Sequence, residues 1–243
     1  MRKSVIELSK VDLNYDVYST TLRTIKDYVL FNFRNKTSKS TVHALMDISF
    51  TVSEGDVFVI LGKNGAGKSS ILRLIAQLLS PSNGRIITRG QVIPLMQLGV
   101  GFEPELTGRE NIMLLSLLLG RKKSEVLPSI QKIIEWAEIS EAADRPLRTY
   151  SSGMIARLAF AVSTAHDSNI LLIDETIAVG DVNFQKKCIA RIEELVLKGT
   201  AVCLVTHDPA LALQIANRGM VLERGKCLHQ GPIADVVNVY LNA

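Results

Sequence analysis

Apolar residues along the chain fall into short runs separated by turn-forming residues, and the runs differ in kind. Val57-Phe58-Val59-Ile60-Leu61, Ile170-Leu171-Leu172-Ile173 and Ala201-Val202-Cys203-Leu204-Val205 are unbroken and rich in β-formers, the pattern of buried strands. Residues 5–13 supply an opening strand with Tyr15 and Tyr18 following. Residues 44–52 lead through the turn Ser53-Glu54-Gly55 into the first buried run, as a strand-turn-strand unit. Ser82-Asn83-Gly84 marks a further turn before short strands at 85–88 and 92–95.

Other stretches carry a helical period. Over residues 20–34, Leu22, Ile25, Val29, Leu30 and Phe33 share one face while Arg23, Lys26 and Arg34 stay wet. That amphipathic insertion suits a partner or a membrane surface, or simply packing on its own domain, and the polar stretch 34–40 after it reads as an exposed connector. Thr107 can cap a helix containing Arg109 and Glu110 that the apolar positions 112–119 lengthen. Residues 124–137 give a second helical interval with Trp136 packed. Residues 99–150 therefore read as a mostly helical insertion in an α/β domain, ended by a break at Ser152-Gly153 before a helix beginning near Met154.

Composition changes this little. The 243 residues, 47% apolar, can fill one large domain or a core with a subdomain. A net charge of +4, from 28 basic and 24 acidic residues, is too small to point to nucleic acid or membrane. Cys188, Cys203 and Cys227 are too far apart for a zinc pair and odd in number, which fits a reducing compartment. The start reaches Glu7 before any signal-like stretch develops, and no apolar run approaches the roughly 20 residues that cross a bilayer.

The chemistry centres on Gly62-Lys63-Asn64-Gly65-Ala66-Gly67-Lys68-Ser69-Ser70, which satisfies G-x-x-x-x-G-K-[ST] between a strand and a helix. Glycines let backbone N–H groups wrap an anion, Lys68 brings positive charge to β- and γ-phosphates, and the Ser69 hydroxyl can ligate Mg2+. Asp174 and Glu175 end a buried strand. Alone the pair could be a strand cap; beside a phosphate loop, Asp174 suits Mg2+ and Glu175 suits the attacking water. His207, at the end of another buried strand, can donate to γ-phosphate or to that water, although taken alone it reads as a surface histidine.

The order of that loop, Tyr150-Ser151-Ser152-Gly153-Met154, the 170–175 strand, Asp181 and His207 resembles the nucleotide-binding subunit of an ATP-binding cassette transporter, over residues 5–230. The resemblance implies an α/β P-loop NTPase fold with an antiparallel β subdomain and an inserted helical subdomain, and ATP and Mg2+ as ligands. It implies two copies closed head to tail as a homodimer, with Ser151 and Gly153 of one capping nucleotide held by Lys68 of the other. Asp181 matches the acid after the metal-site strand and implies communication across that dimer. The cap departs from the family's Leu-Ser-Gly-Gly-Gln at Tyr150, Ser152 and Met154. With Lys68, Glu175 and His207 intact, a working variant is expected rather than a low-turnover site. The family's metal-contacting Gln aligns with Leu98, leaving Gln97 as the metal-sphere candidate, and the adenine-stacking residue stays open among Tyr15, Tyr18 and His43.

Residues 99–111, the later Ala178-Val179-Gly180-Asp181 and the extra segment before Ala44 are similar to ATPases that export O-antigen, capsule or teichoic acid. That narrower resemblance implies a peripheral subunit at the cytoplasmic face of a bacterial membrane, held by two integral-membrane permease subunits near residues 98–111. The complex would handle a lipid-linked glycan, with no direct nucleic-acid partner. As the chain ends at Ala243, no separate carbohydrate-binding domain is expected. The alternatives are an exporter of another cargo and a soluble cassette ATPase acting on a nucleic-acid or ribosomal complex.

Overall fold

The computed structural model describes residues 3–18, 39–95, 99–174 and 181–243. The expected helix at 20–34, Gln97, Leu98 and Glu175 lie outside the described residues. Nine strands form two sheets among those described: β1 (Ser4–Tyr18), β2 (Lys39–Ser53), β3 (Val57–Leu61), β4 (Asn83–Thr88), β5 (Val92–Leu95), β6 (Ile170–Asp174), β7 (Ala201–Thr206), β8 (Arg218–Glu223) and β9 (Lys226–Pro232). The smaller sheet is antiparallel in the order β2-β1-β4; the larger runs β5-β6-β7-β3-β8-β9, parallel except for β9.

The unbroken apolar runs become the centre of the larger sheet because both of its faces are covered. Alternate residues of β3 serve the two sides. Phe58 and Ile60 join a core shared with the antiparallel sheet, where the Phe50 and Phe58 rings stack at 4.8 Å. Val57, Val59 and Leu61 join a second core on the opposite face. In register, Leu61 pairs with Thr206 and Asp174 with Val205, so β3, β6 and β7 end level with one another. This shared carboxyl edge places the residues after each strand together, as open parallel sheets do at their binding edge.

Helices α1 (Lys68–Ile75), α2 (Gly108–Leu118), α3 (Lys123–Val126), α4 (Ile130–Ala137), α5 (Ser152–Thr164), α6 (Val182–Leu197), α7 (Pro209–Ile215) and α8 (Ile233–Asn242) complete the described structure. Residues of α2, α4 and α5 share a third core with Ile112, Ile133, Ile134, Leu147 and Leu158. The interval expected as one helix over 124–137 is divided by a 3-10 turn at Leu127–Ser129, where Pro128 lacks an N–H and cannot continue α-helical bonding. The expected break at Ser152-Gly153 is also corrected. Both residues belong to α5, because the Ser151 hydroxyl accepts the Met154 N–H at 3.2 Å and caps the helix two residues earlier. β1 and β2 extend beyond the predicted 5–13 and 44–52, since each satisfies the other's backbone out to Tyr18 and Lys39.

Candidate nucleotide site

Leu61 delivers the chain into the Gly62–Ser70 loop, and the loop is shaped by what surrounds it. Gly67 caps α1 with φ of 107° and supplies no side chain to the first-turn amides. A Cβ there would lie 2.9 Å from the Ala44 carbonyl oxygen, so both conformation and space demand glycine. The helix start is thereby left to an outside acceptor.

Lys68 is 7% exposed, and its Nζ donates to the Gly62 carbonyl at 2.7 Å and the Lys63 carbonyl at 3.2 Å. Two carbonyls solvate the ammonium without neutralising it, and among the described residues no carboxylate comes within ion-pair distance. Next to it Ser69 Oγ donates to Asp174 Oδ2 at 3.1 Å. Oxygen donors of this kind suit Mg2+, which binds through few protein groups and takes its other ligands from phosphate and water.

A cavity of about 540 Å³ is lined by Tyr15, Val42 and His43 of the antiparallel sheet together with Lys68, Ser69 and Asp174. Its volume suits a small ligand. His43 is held by Asn14, with Nδ1 to Oδ1 at 2.8 Å. Of the aromatic candidates, Tyr15 and His43 line this cavity, and the side chain of Tyr18 is outside the described set. His207 follows β7 on the same sheet edge, exposed, and its carbonyl accepts the Tyr240 hydroxyl at 3.3 Å. Asp208, beside it, caps α7.

Ser151 and Gly153 lie at the start of α5, on the surface. Among the described residues a Cβ on Gly153 would meet only Ser151 Oγ at 3.9 Å, so none of them requires a glycine there. Tyr150, the departure just before them, is buried. Its hydroxyl donates to the Ala142 carbonyl at 2.7 Å, and the ring packs in the helical core. Burial pushes its pKa upward, keeping the donor protonated. The larger residue is thus a peg for the helical layer.

Asp181 caps α6 by accepting the Asn183 and Phe184 N–H groups, each at 3.0 Å. It also receives Arg157 from α5 at 2.5 Å, while Arg157 reaches Glu138 at 2.8 Å and lies over the Phe184 ring. Sequence reasoning passed over Arg157, whose single position in a mixed apolar run gave no sign of three partners.

A second cavity of about 320 Å³ runs from Ser69 and Asp174 past Pro94 to Gly99, Val100 and Leu119. Beyond it the loop before α2 is pinned by fully buried Asn111, whose Oδ1 accepts the Glu103 N–H at 2.8 Å and whose Nδ2 donates to the carbonyls of Glu103, Leu106 and Thr107. Thr107 and Glu110 form a reciprocal capping box.

Residues 45–178 match the ABC transporter family. The chain is 40% identical over 241 residues to the O-antigen export system ATP-binding protein RfbB of Klebsiella pneumoniae, covering 98% of each chain. It is 38% identical over 241 residues to the ABC transporter protein AbcA of Aeromonas salmonicida, covering 99% of this chain and 77% of that protein. A solved ATP-binding subunit of an ABC transporter shares the fold with a TM-score of 0.76 at 20% identity, over 97% of this chain and 93% of that one. A dimeric ATP-binding cassette bound to ADP and Pi gives 0.75 at 22% identity, over 94% and 98%. Family and fold together imply binding of ATP with Mg2+. The chain belongs to the ABC transporter family, as one of its ATP-binding, ATP-hydrolysing subunits.

Proposed function

We propose that this subunit powers export of a lipid-linked polysaccharide, such as O-antigen, capsule or teichoic acid, across a bacterial cytoplasmic membrane. The observation that carries the cargo class is the end-to-end likeness to a protein named for O-antigen export. Chemistry at the phosphate loop is common to the family and does not encode cargo.

In this reading Lys68 and the α1 start hold the β- and γ-phosphates, and Ser69 with Asp174 holds Mg2+. Bound there, Mg2+ neutralises charge on the phosphate oxygens. Glu175 takes the proton of the attacking water, and His207 donates to γ-phosphate. Ser151 and Gly153 close the site from a second copy arranged head to tail, which the open space at Gly153 supports. Tyr15 and His43 receive the base. Asp181 links the α5 cap to the neighbouring site, and Gln97 is the remaining metal-sphere candidate.

Two integral-membrane permease subunits anchor the pair at the cytoplasmic face. No helix among the described residues is long and apolar enough to span a membrane itself. Their docking surface includes Val100, Leu117 and Leu118, all exposed, and the loop that Asn111 pins. Residues 20–34 and 99–150 are proposed as the amphipathic insertion and the helical subdomain of one ATPase domain.

The test of the catalytic assignment is phosphate release by Glu175→Gln assembled with its permease. Lost turnover with retained ATP-dependent dimerisation is expected, and an undiminished rate rules the role out. Cysteines at Glu103 or Glu105 are expected to crosslink to a cytosolic loop of the permease.

A further inference from the structure

The hairpin turn between β8 and β9 brings a third charged group to the nucleotide cavity. Arg224 is exposed, lines that cavity, and has φ of 46°, a left-handed conformation that a non-glycine residue seldom adopts. The turn is fixed against the phosphate loop. The Gly225 N–H donates to the Ala66 carbonyl at 2.9 Å, and its carbonyl accepts the Met46 N–H at 2.8 Å. A Cβ on Gly225 would stand 2.5 Å from the Ala44 carbonyl oxygen. The backbone carrying Arg224 is therefore wedged between β2 and the loop, and the guanidinium has a set origin.

Charge gives this placement its meaning. Among the described residues the charged side chains lining the cavity are Lys68, Arg224 and Asp174, so Arg224 adds a second cation beside Lys68. Arg224 makes no ion pair among the described residues, so neither neighbour chemistry nor backbone preference explains an arginine here. Gly225 and Gly67 both abut the Ala44 carbonyl, so the turn carrying Arg224 and the residue before Lys68 share one wall of the cavity.

We infer that Arg224 is a further nucleotide-binding residue, its guanidinium gripping the α- or β-phosphate beside the loop. The inference rests on the proposed phosphate-loop site. Because that phosphate is shared by ATP and ADP, Arg224 serves affinity for both rather than the hydrolytic step. A charge-assisted contact of this type is worth about tenfold in affinity.

The test is calorimetric titration of ATP and ADP into wild type, Arg224→Gly, Arg224→Asn, Arg224→Lys and Lys68→Ala. Gly and Asn keep the left-handed backbone, and thermal melts of each variant check the fold. The expected result is a loss of about tenfold for both nucleotides in the Gly and Asn variants and recovery of most of it with Lys, with the loss appearing in KM of the assembled ATPase more than in kcat. Wild-type affinity in the Gly and Asn variants overturns the inference, as does a Lys variant as weak as they are. If wild type fails to bind, or Lys68→Ala binds as well, the site reading itself is wrong.

Discussion

Ser69 Oγ donates to Asp174 Oδ2 at 3.1 Å, joining the first turn of α1 to the end of β6 across 105 positions of sequence. The contact needs β3 and β6 to end level, with β7 between them. It sets two hard oxygen donors side by side. Asp174→Asn keeps the shape but removes the charge that favours Mg2+. Expected is a rise of more than about tenfold in the Mg2+ concentration needed for half-maximal phosphate release. An unchanged Mg2+ titration contradicts the assignment.

Gly153 separates the demands of the fold from those of the assembly. Since a Cβ there meets nothing closer than Ser151 Oγ at 3.9 Å, Gly153→Val should leave the melting temperature and nucleotide binding of the single chain near wild type. If a second copy closes on that surface, phosphate release by the assembled ATPase falls by about 100-fold. Measuring melts, binding and turnover together distinguishes the two. A destabilised monomer would mean the glycine is structural.

The Arg157–Asp181 pair yields a pH prediction. The Phe184 N–H is the main influence holding the Asp181 carboxyl below its ordinary range, with Arg157 and the Asn183 N–H assisting against burial. A folded-state pKa below the unfolded value contributes stability fully above the ordinary carboxylate value of about 3.9 and loses it as pH falls through the lowered value. Asp181→Ala should therefore melt below wild type at pH 7, with the gap closing on acidification below about pH 4. A gap that widens in acid would contradict this sign. Double substitution with Arg157→Met should be less than additive.

Tyr150→Phe isolates the hydroxyl that occupies the family's leucine position. Loss of its bond to Ala142 costs about 1 kcal/mol, although the Ala142 carbonyl keeps the Arg145 N–H at 2.8 Å. Denaturant unfolding should register that loss while turnover at saturating ATP changes little. A large fall in turnover at unchanged stability would give Tyr150 a direct part in the cap.

Much of this arrangement is legible in the residues because the signals are local. Buried runs announced β3, β6 and β7, and the glycine-lysine spacing announced the loop that joins β3 to α1. Tertiary fixtures were not legible. Nothing near Arg224 reveals that its turn is wedged between Ala66 and Ala44, because those contacts span most of the chain. Arg157 gains its meaning from Glu138 and Asp181, which only packing brings together. The start of α5 was misplaced because Ser-Gly reads as a turn, whereas the Ser151 cap admits both residues to the helix.

The proposed export activity requires that ATP turnover by this chain move a glycan. Its most direct test is reconstitution with the cognate permease in vesicles, followed by measurement of lipid-linked glycan crossing the bilayer on addition of ATP and Mg2+. Movement is expected with wild type and none with Glu175→Gln. Robust ATP hydrolysis without glycan movement, alongside transport of another class of cargo, would contradict it.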